Sequence, residues 1–363
     1  MTRAKGKCTV SSPYRGLPPK ARWKTGVAEQ NWSELYRKKF PIDRNTNILT
    51  AGSCFAQHIA RYLRARKFKV IDAEPAPPGM SDACAKRFGY NLYSARYGNI
   101  YTARQLLQLA KESFGKFKPA NAVWEKNGRY YDALRPNVEP DGLPDQEEVA
   151  VQRLDHLLRT RRAFKSADLC IFTFGLTESW IHRESSTVYP TAPGTIAGEY
   201  DPEVFVFKNF TASEVYDDFT RFRRFMKKIN PTLKFLVTVS PVPLVATASQ
   251  GHVLPATIYS KSVLRAVAGQ VADEFEDVDY FPSYEMIATP FYQSRSYEED
   301  LRTVRPRAID KVMSVFFDQH DSQDAPRDNA TDQLPSPHRG KSSSKSRDDV
   351  VCEEILLEAL AAR

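Results

Sequence analysis

Residues 47 to 58 read N-I-L-T-A-G-S-C-F-A-Q-H and bring three chemically able side chains together: Ser53, Cys54 and His58. The run I-L-T-A has the pattern of a buried strand. Phe55, Ile59, Tyr62 and Leu63 then recur at helical spacing, with Arg61, Arg64, Arg66 and Lys67 mostly off that face. Ser53 therefore stands where a strand turns into a helix. Gly52 before it permits backbone angles that other residues resist, and the N–H groups that follow point toward developing negative charge. A serine nucleophile needs such a corner, with oxyanion donors nearby. The plainer role for Ser53 is to cap the helix. Cys54 is a rival nucleophile, since a thiolate at a helix N-terminus is acidified, but a cysteine in a tight turn is often small filler.

The elements that must position this corner alternate along the chain. F-K-V-I-D (68–72) is expected to form a second strand. Residues 102–111 and 147–164 read as helices, and A-D-L-C-I-F-T-F-G (167–175) gives the strongest strand signal. Thr211 and Glu214 form a T-x-x-E capping box ahead of an apolar face of Val215, Phe219, Phe222, Met226 and Ile229. K-F-L-V-T-V-S is a buried strand ended by P-V-P. A helix is expected from about Tyr259 to Phe275, a short strand from Val278 to Phe281, and a last helix from Arg307 to Phe317 behind Pro306. This alternation predicts an α/β, three-layer fold with a mainly parallel sheet covered on both faces. Chemistry should then collect at the carboxyl ends of the strands: at Gly52-Ser53-Cys54, at G-L-T-E (175–178) and at S-P-V-P (240–243).

Around that domain, expected over 31–318, lie a basic, Pro-rich arm (1–30), a polar low-complexity linker (319–347) and a closing amphipathic helix (348–363). The chain has 363 residues, 42% hydrophobic and 26% charged, as expected of a soluble globular protein. Its net charge is +8, but seven of the basic residues precede the first acidic one, Glu29. The arm explains the charge, and no nucleic-acid motif accompanies it. The five cysteines show no C-x-x-C spacing, which argues against a disulfide framework or a zinc site. There is no apolar stretch of transmembrane length and no secretory signal pattern, so a cytoplasmic location is expected. No phosphate loop or metal-ligand spacing stands out, and no cofactor is expected.

G-S-C-F-A (52–56) is the motif from which the GSCFA family takes its name. Y-G-N-I-Y-T-A-R-Q-L, F-G-L-T-E-S-W, T-V-S-P-V-P-L, H-V-L, Y-S-K-S-V-L-R-A-V and Y-F-P-S-Y-E resemble its later blocks, in order, from about Asn47 to Phe317. That family in turn resembles the SGNH (GDSL-like) esterases and acyltransferases. The resemblance implies a flavodoxin-like fold and an O-acyl ester substrate, of a glycan or a small polar acceptor. It also implies a nucleophile at Ser53, oxyanion donors at Gly98, Asn99 and Thr177, and an orienting Glu178. Two departures stand out. Thr177 replaces the usual Asn of the third block, and Asp300-Leu301-Arg302-Thr303 carries threonine where D-x-x-H has its histidine. A serine without a base is a weak nucleophile. His182 and His252, both expected in loops at strand carboxyl ends, are the alternatives, and His252 is preferred because it lies within a block of the family. Glu178 is expected to orient that histidine or to pair with Arg96, Arg104 or Arg302. Trp124 and Trp180 are suited to packing or to facing a sugar ring. A catalytically silent protein that binds a ligand or partner in the same cleft is the alternative to an enzyme.

Overall fold

The computed structural model describes residue 12, residues 14–27, residue 32, and residues 34–289 and 293–320. Strand β1 (Ile48–Gly52) is buried along its whole length and leads into helix α1 (Phe55–Ala65). Helix α2 (Ala103–Ser113) opens on a capping box of Thr102 and Gln105. A hairpin follows, β2 (Val123–Lys126) and β3 (Arg129–Asp132), closed by Asn127-Gly128 with both residues at positive φ. That is the two-residue turn whose twist suits a hairpin. Helix α3 (Gln146–Ser166) leads to β4 (Leu169–Phe174). Next come three antiparallel strands, β5 (Glu178–His182), β6 (Val188–Tyr189) and β7 (Phe205–Asn209), in the order β6-β5-β7. Then follow α4 (Ala212–Ile229), β8 (Lys234–Val239), α5 (Val253–Glu274), β9 (Val278–Tyr280) and α6 (Pro306–His320).

The central sheet is parallel throughout, in the order β1-β4-β8-β9. Phe68–Asp72, expected as a full strand, contributes one parallel bridge, Val70 to Ile48. Counting that bridge as an edge position gives the order 2-1-3-4-5 of flavodoxin-like sheets. Alternate residues of each strand face opposite layers. Cys170, Phe172 and Phe174 of β4 pack with Phe219 and Phe222 of α4 and Leu264 of α5. Leu169 and Ile171 pack with Ile59 of α1 and Val312 and Phe316 of α6, beneath Tyr36 and Phe40. Three layers, helix on sheet on helix, result.

The structure departs from the sequence reading in several places. Glu178 and His182, expected in a loop, lie on β5. The β2–β3 hairpin and the β6-β5-β7 sheet share a small core of Trp124, Tyr131, Tyr189 and Phe205. Helix α5 begins at Val253, six residues earlier than expected, and turns His252 from a loop residue into its N-cap. Helix α6 continues to His320, which is buried and bonded to the Tyr36 hydroxyl rather than forming part of a linker. In the arm, two single turns, Pro19–Ala21 and Trp23–Gly26, bury nothing. The linker beyond His320 and the expected closing helix (348–363) lie outside the described residues. Among the described residues, no helix is long and apolar enough to cross a membrane.

Candidate active site

Two glycines set the bend. Gly52 has φ +143°, and a Cβ there would sit 2.6 Å from the Thr173 carbonyl oxygen of β4. A Cβ on Gly175 would come within 2.9 Å of the Ser53 Cβ and 3.0 Å of Tyr101 Cδ1. Only hydrogen at these positions lets the ends of β1 and β4 close on Ser53. The Ser53 N–H donates to Thr173 O at 3.2 Å, extending the strand ladder by one residue. Its carbonyl accepts from Ala56 N at 2.9 Å and faces the Tyr93 hydroxyl at 3.1 Å. The backbone is thus fixed on both sides. The Ser53 N–H is engaged by this bond and is not available as an oxyanion donor.

The Ser53 side chain is placed differently. The N-cap of α1 is Cys54, and no side chain caps that end. Ser53 is 2% exposed, and its Oγ has no hydrogen-bond partner among the described residues. The capping role is therefore not the one it performs. Ser53 borders a cavity of about 10 Å³ that Cys54, Tyr101, Ser240, Lys261 and residues 242–244 also line. That is room for about one water molecule. Leu176 and Leu244 also border a neighbouring cavity of about 220 Å³, whose walls include Trp180, Tyr189 and Phe207. Glu178, Ser179, Thr191 and Thr247 are among the polar residues that line that second cavity.

The residues expected to assist Ser53 are dispersed. His252 is exposed, its Nδ1 accepts from Leu254 N at 3.1 Å, and it does not border the serine cavity. His182, at the end of β5, accepts from Ser185 N and packs edge-on to Phe205. His58 is buried, its Nδ1 lies 3.0 Å from Arg61, and burial with the nearby charges of Arg61 and Lys86 lowers its pKa to about 3. Thr177 donates its hydroxyl to Asn209 Oδ1 at 2.6 Å, so the shorter side chain bridges to β7 rather than facing the serine. Asn99 Oδ1 accepts from Gln57 and from the Tyr93 hydroxyl, which braces Ser53 from behind. Gly98, at φ +67°, lies beside the bend, since Ile100 N donates to Gly52 O at 2.8 Å.

Glu178 accepts from Thr247 Oγ1 at 2.6 Å and Ala248 N at 3.3 Å, so it fastens the loop over the larger cavity rather than a histidine. Arg96 pairs with Glu139 and Arg104 with Asp218. Trp124 is a core residue, whereas Trp180 borders the larger cavity. Asp300 accepts from the backbone and hydroxyl of Thr303, which makes the D-x-x-T stretch a local turn. Cys54 shares the wall with Ser53.

Lys261 is the polar neighbour that the sequence reading passed over. It is 3% exposed, and its Nζ donates to Gly175 O at 2.6 Å. A signal was present. Lys261 falls on the same stripe of α5 as the buried Leu264, Ala268 and Val271, at spacings of three to four residues, where a charged residue is rarely buried.

A parallel sheet of this order with a serine at the carboxyl end of its first strand defines a flavodoxin-like α/β protein. Within that class the chain belongs to the GSCFA family, whose model matches residues 47–316. No curated protein matches the sequence. Among solved structures, a family 3 carbohydrate esterase of Clostridium thermocellum is similar at 10% identity and a TM-score of 0.22, over 60% of this chain and 83% of its own. The acetyl xylan esterase Est2A of the rumen bacterium Butyrivibrio proteoclasticus is similar at 12% identity and a TM-score of 0.30, over 77% and 64%.

Proposed function

We propose that this chain is a serine-dependent esterase or O-acyltransferase, with Ser53 Oγ as the nucleophile. One observation carries the reading. The Ser53 hydroxyl is without a hydrogen-bond partner among the described residues and does not cap α1, and the residue lines a cavity at the carboxyl end of the sheet. Attack on an ester carbonyl forms an acyl-serine and releases an alcohol. Water or an acceptor hydroxyl then takes the acyl group. In this reading the N–H groups at the start of α1 and at Gly98 serve as the oxyanion donors. The cavity beside Trp180, which shares Leu176 and Leu244 with the serine cavity, seats the group flanking the ester. An O-acylated glycan or small polar acceptor is the substrate class, on the family's resemblance to SGNH enzymes, and the cysteine pattern fits a cytoplasmic reaction.

The second reading is a ligand-binding protein without turnover, favoured by the absence of any imidazole from the lining of the serine cavity. An alkyl fluorophosphonate separates the two. The esterase reading expects one covalent label, mapped to Ser53 by peptide mass spectrometry and absent from Ser53→Ala, together with p-nitrophenyl acetate hydrolysis that the same substitution abolishes. Label on Cys54 instead of Ser53 identifies a thiol enzyme. No label and no turnover, on p-nitrophenyl acetate or an acetylated glycan, leaves the binding reading standing.

A further inference from the structure

We infer that Lys261 is the proton acceptor for Ser53, in the place that histidine fills in other serine esterases. This inference rests on the reading of Ser53 as the nucleophile. Lys261 and Ser53 line the same small cavity, and no histidine does. Helix α5 delivers the lysine to that spot through two consecutive residues. Ser260 Oγ accepts from Thr177 N at 2.9 Å, and Lys261 Nζ donates to Gly175 O at 2.6 Å. The G-L-T turn is thereby clamped against the serine, with Gly175 lacking the Cβ that would intervene.

The bond to the Gly175 carbonyl does not by itself call for a lysine, since an uncharged donor would make it without the desolvation cost of a buried ammonium. What an amine adds over an amide or hydroxyl is a basic lone pair. Lysines shielded from water are the ones that serve as general bases, and Ser-Lys pairs are a known variant of the serine triad. The distance between the two groups exceeds a hydrogen bond, because Ser53 Oγ has no partner. The cavity between them holds about one water, and catalytic contacts often tighten only when substrate binds.

The proton balance is complete with these groups. Lys261 Nζ, as the neutral amine, takes the Ser53 Oγ proton as Oγ bonds to the carbonyl carbon. The tetrahedral adduct then breaks its bond to the ester oxygen, and Nζ returns the proton to the leaving alkoxide. In the second half, Nζ takes a proton from water or the acceptor hydroxyl as that oxygen attacks the acyl-serine. The proton finally goes to Ser53 Oγ as it departs.

The test uses the full chain, an alkyl fluorophosphonate and p-nitrophenyl acetate, with wild type, Ser53→Ala, Lys261→Met, Lys261→Arg, Lys261→Ala and His252→Ala. Loss of a general base is expected to slow Ser53 labelling and ester turnover by about 10²- to 10⁴-fold in Lys261→Met. Lys261→Arg, which keeps the charge and the donor but not the neutral base, is expected to be equally slow. Added ethylamine should restore part of the rate in Lys261→Ala, rising with its free-base fraction as pH increases. Cys54, Tyr101 and Lys261 are the titratable groups on the cavity wall, so the mapped label must be on Ser53 and the acid limb of its rate profile must vanish with Lys261. Circular dichroism checks that each variant folds. If Lys261→Met does not fold, Lys261→Arg and the amine rescue decide. Undiminished Ser53 labelling in Lys261→Met or Lys261→Arg overturns the base assignment and leaves the serine reading intact, as does labelling that depends on His252 instead. A wild type that takes no label at Ser53 overturns both.

Discussion

Three buried histidines predict a sharp loss of stability between pH 6.5 and 5. His58 and His320 are each held down to about 3, and His156 to about 4, against an ordinary value of 6.5. Burial is the largest cause in all three. Arg61 and Lys86 add to it at His58, Lys38 at His320, and Arg135 at His156, where the neighbouring Glu74 carboxylate acts in the opposite sense. The folded chain therefore keeps these imidazoles neutral where the unfolded chain protonates them. A depressed folded pKa contributes stability that is complete above 6.5 and is lost as pH falls toward the folded value. Each pH unit in that window costs about 1.4 kcal/mol per histidine, so at pH 5 each has withdrawn about 2 kcal/mol and the three together about 6. That is comparable with the whole stability of many domains, about 5–15 kcal/mol. Glu74 and Asp132, each lowered to about 2, withdraw their share only below about pH 4.5, outside the range from pH 6.5 to 5. Calorimetry from pH 7.5 to 5 should show Tm falling by about 10 °C or more, with uptake of about three protons on unfolding at pH 5. His156→Gln should remove one proton from that uptake. A Tm that stays level across the window, or an uptake below one proton, refutes the assignment of these imidazoles as neutral.

Other substitutions probe the site. Ser53→Ala removes a buried hydroxyl that has no hydrogen-bond partner among the described residues, and is expected to stabilise the fold by about 1 kcal/mol. A lower melting temperature would show that the hydroxyl is satisfied in solution. Gly175→Ala puts a methyl 2.9 Å from the Ser53 Cβ, and should cost about 1–3 kcal/mol by overpacking and slow fluorophosphonate labelling at Ser53. Unchanged labelling would separate the turn from the nucleophile. Trp180→Ala strips one wall of the larger cavity. It should raise KM for aryl esters about tenfold, the equivalent of 1.4 kcal/mol, and an unchanged KM would place the substrate elsewhere.

The central sheet was legible because its strands are continuous apolar runs and its helices carry their own start signals. Thr211 and Glu214 form the capping box their spacing implied, and the run at 167–175 is β4. Short antiparallel strands were harder to read. β5 and β7 are half-exposed, mix polar with aromatic residues and depend on each other for pairing, so neither shows a run long enough to stand out. The β2–β3 hairpin did carry a local signal, the Asn-Gly pair at 127–128, but its flanks W-E-K and R-Y-Y alternate weakly. Within the site, the serine's position at the end of a strand could be read from Gly52 and the helical period after it. The placement of the assisting groups depended on where α5 begins. His252 reads as a loop residue because it follows S-P-V-P and the next helix is expected only from about Tyr259, yet Pro255 is tolerated in the first turn of a helix that starts at Val253. Extending α5 back to Val253 uses His252 as a cap and leaves Lys261, two turns in, on the buried face.

Among the described residues, Ser53 is not alone in burying a hydroxyl without a partner, for Thr160, Thr173 and Thr289 do so as well. The three threonines border none of the cavities described above. Threonine also carries a methyl that packs, so an idle hydroxyl can be the cost of filling space. Serine has no such methyl, and alanine would fill the bend equally well without a group to desolvate. The surrounding sequence nevertheless invests heavily in holding Ser53 still. Two glycines make room for it, Thr173 accepts from its N–H, and the Gln57, Tyr93 and Asn99 side chains brace its carbonyl. Every one of these contacts fixes the backbone, and none uses the hydroxyl. A site that immobilises a residue through its main chain while leaving its reactive atom facing a cavity has the preorganisation that catalysis needs. Local rules of stability are broken most often where function is placed. On that reasoning the mismatch at Ser53 supports its proposed role as the nucleophile, and Lys261, which lines the same cavity, is the group proposed to assist it.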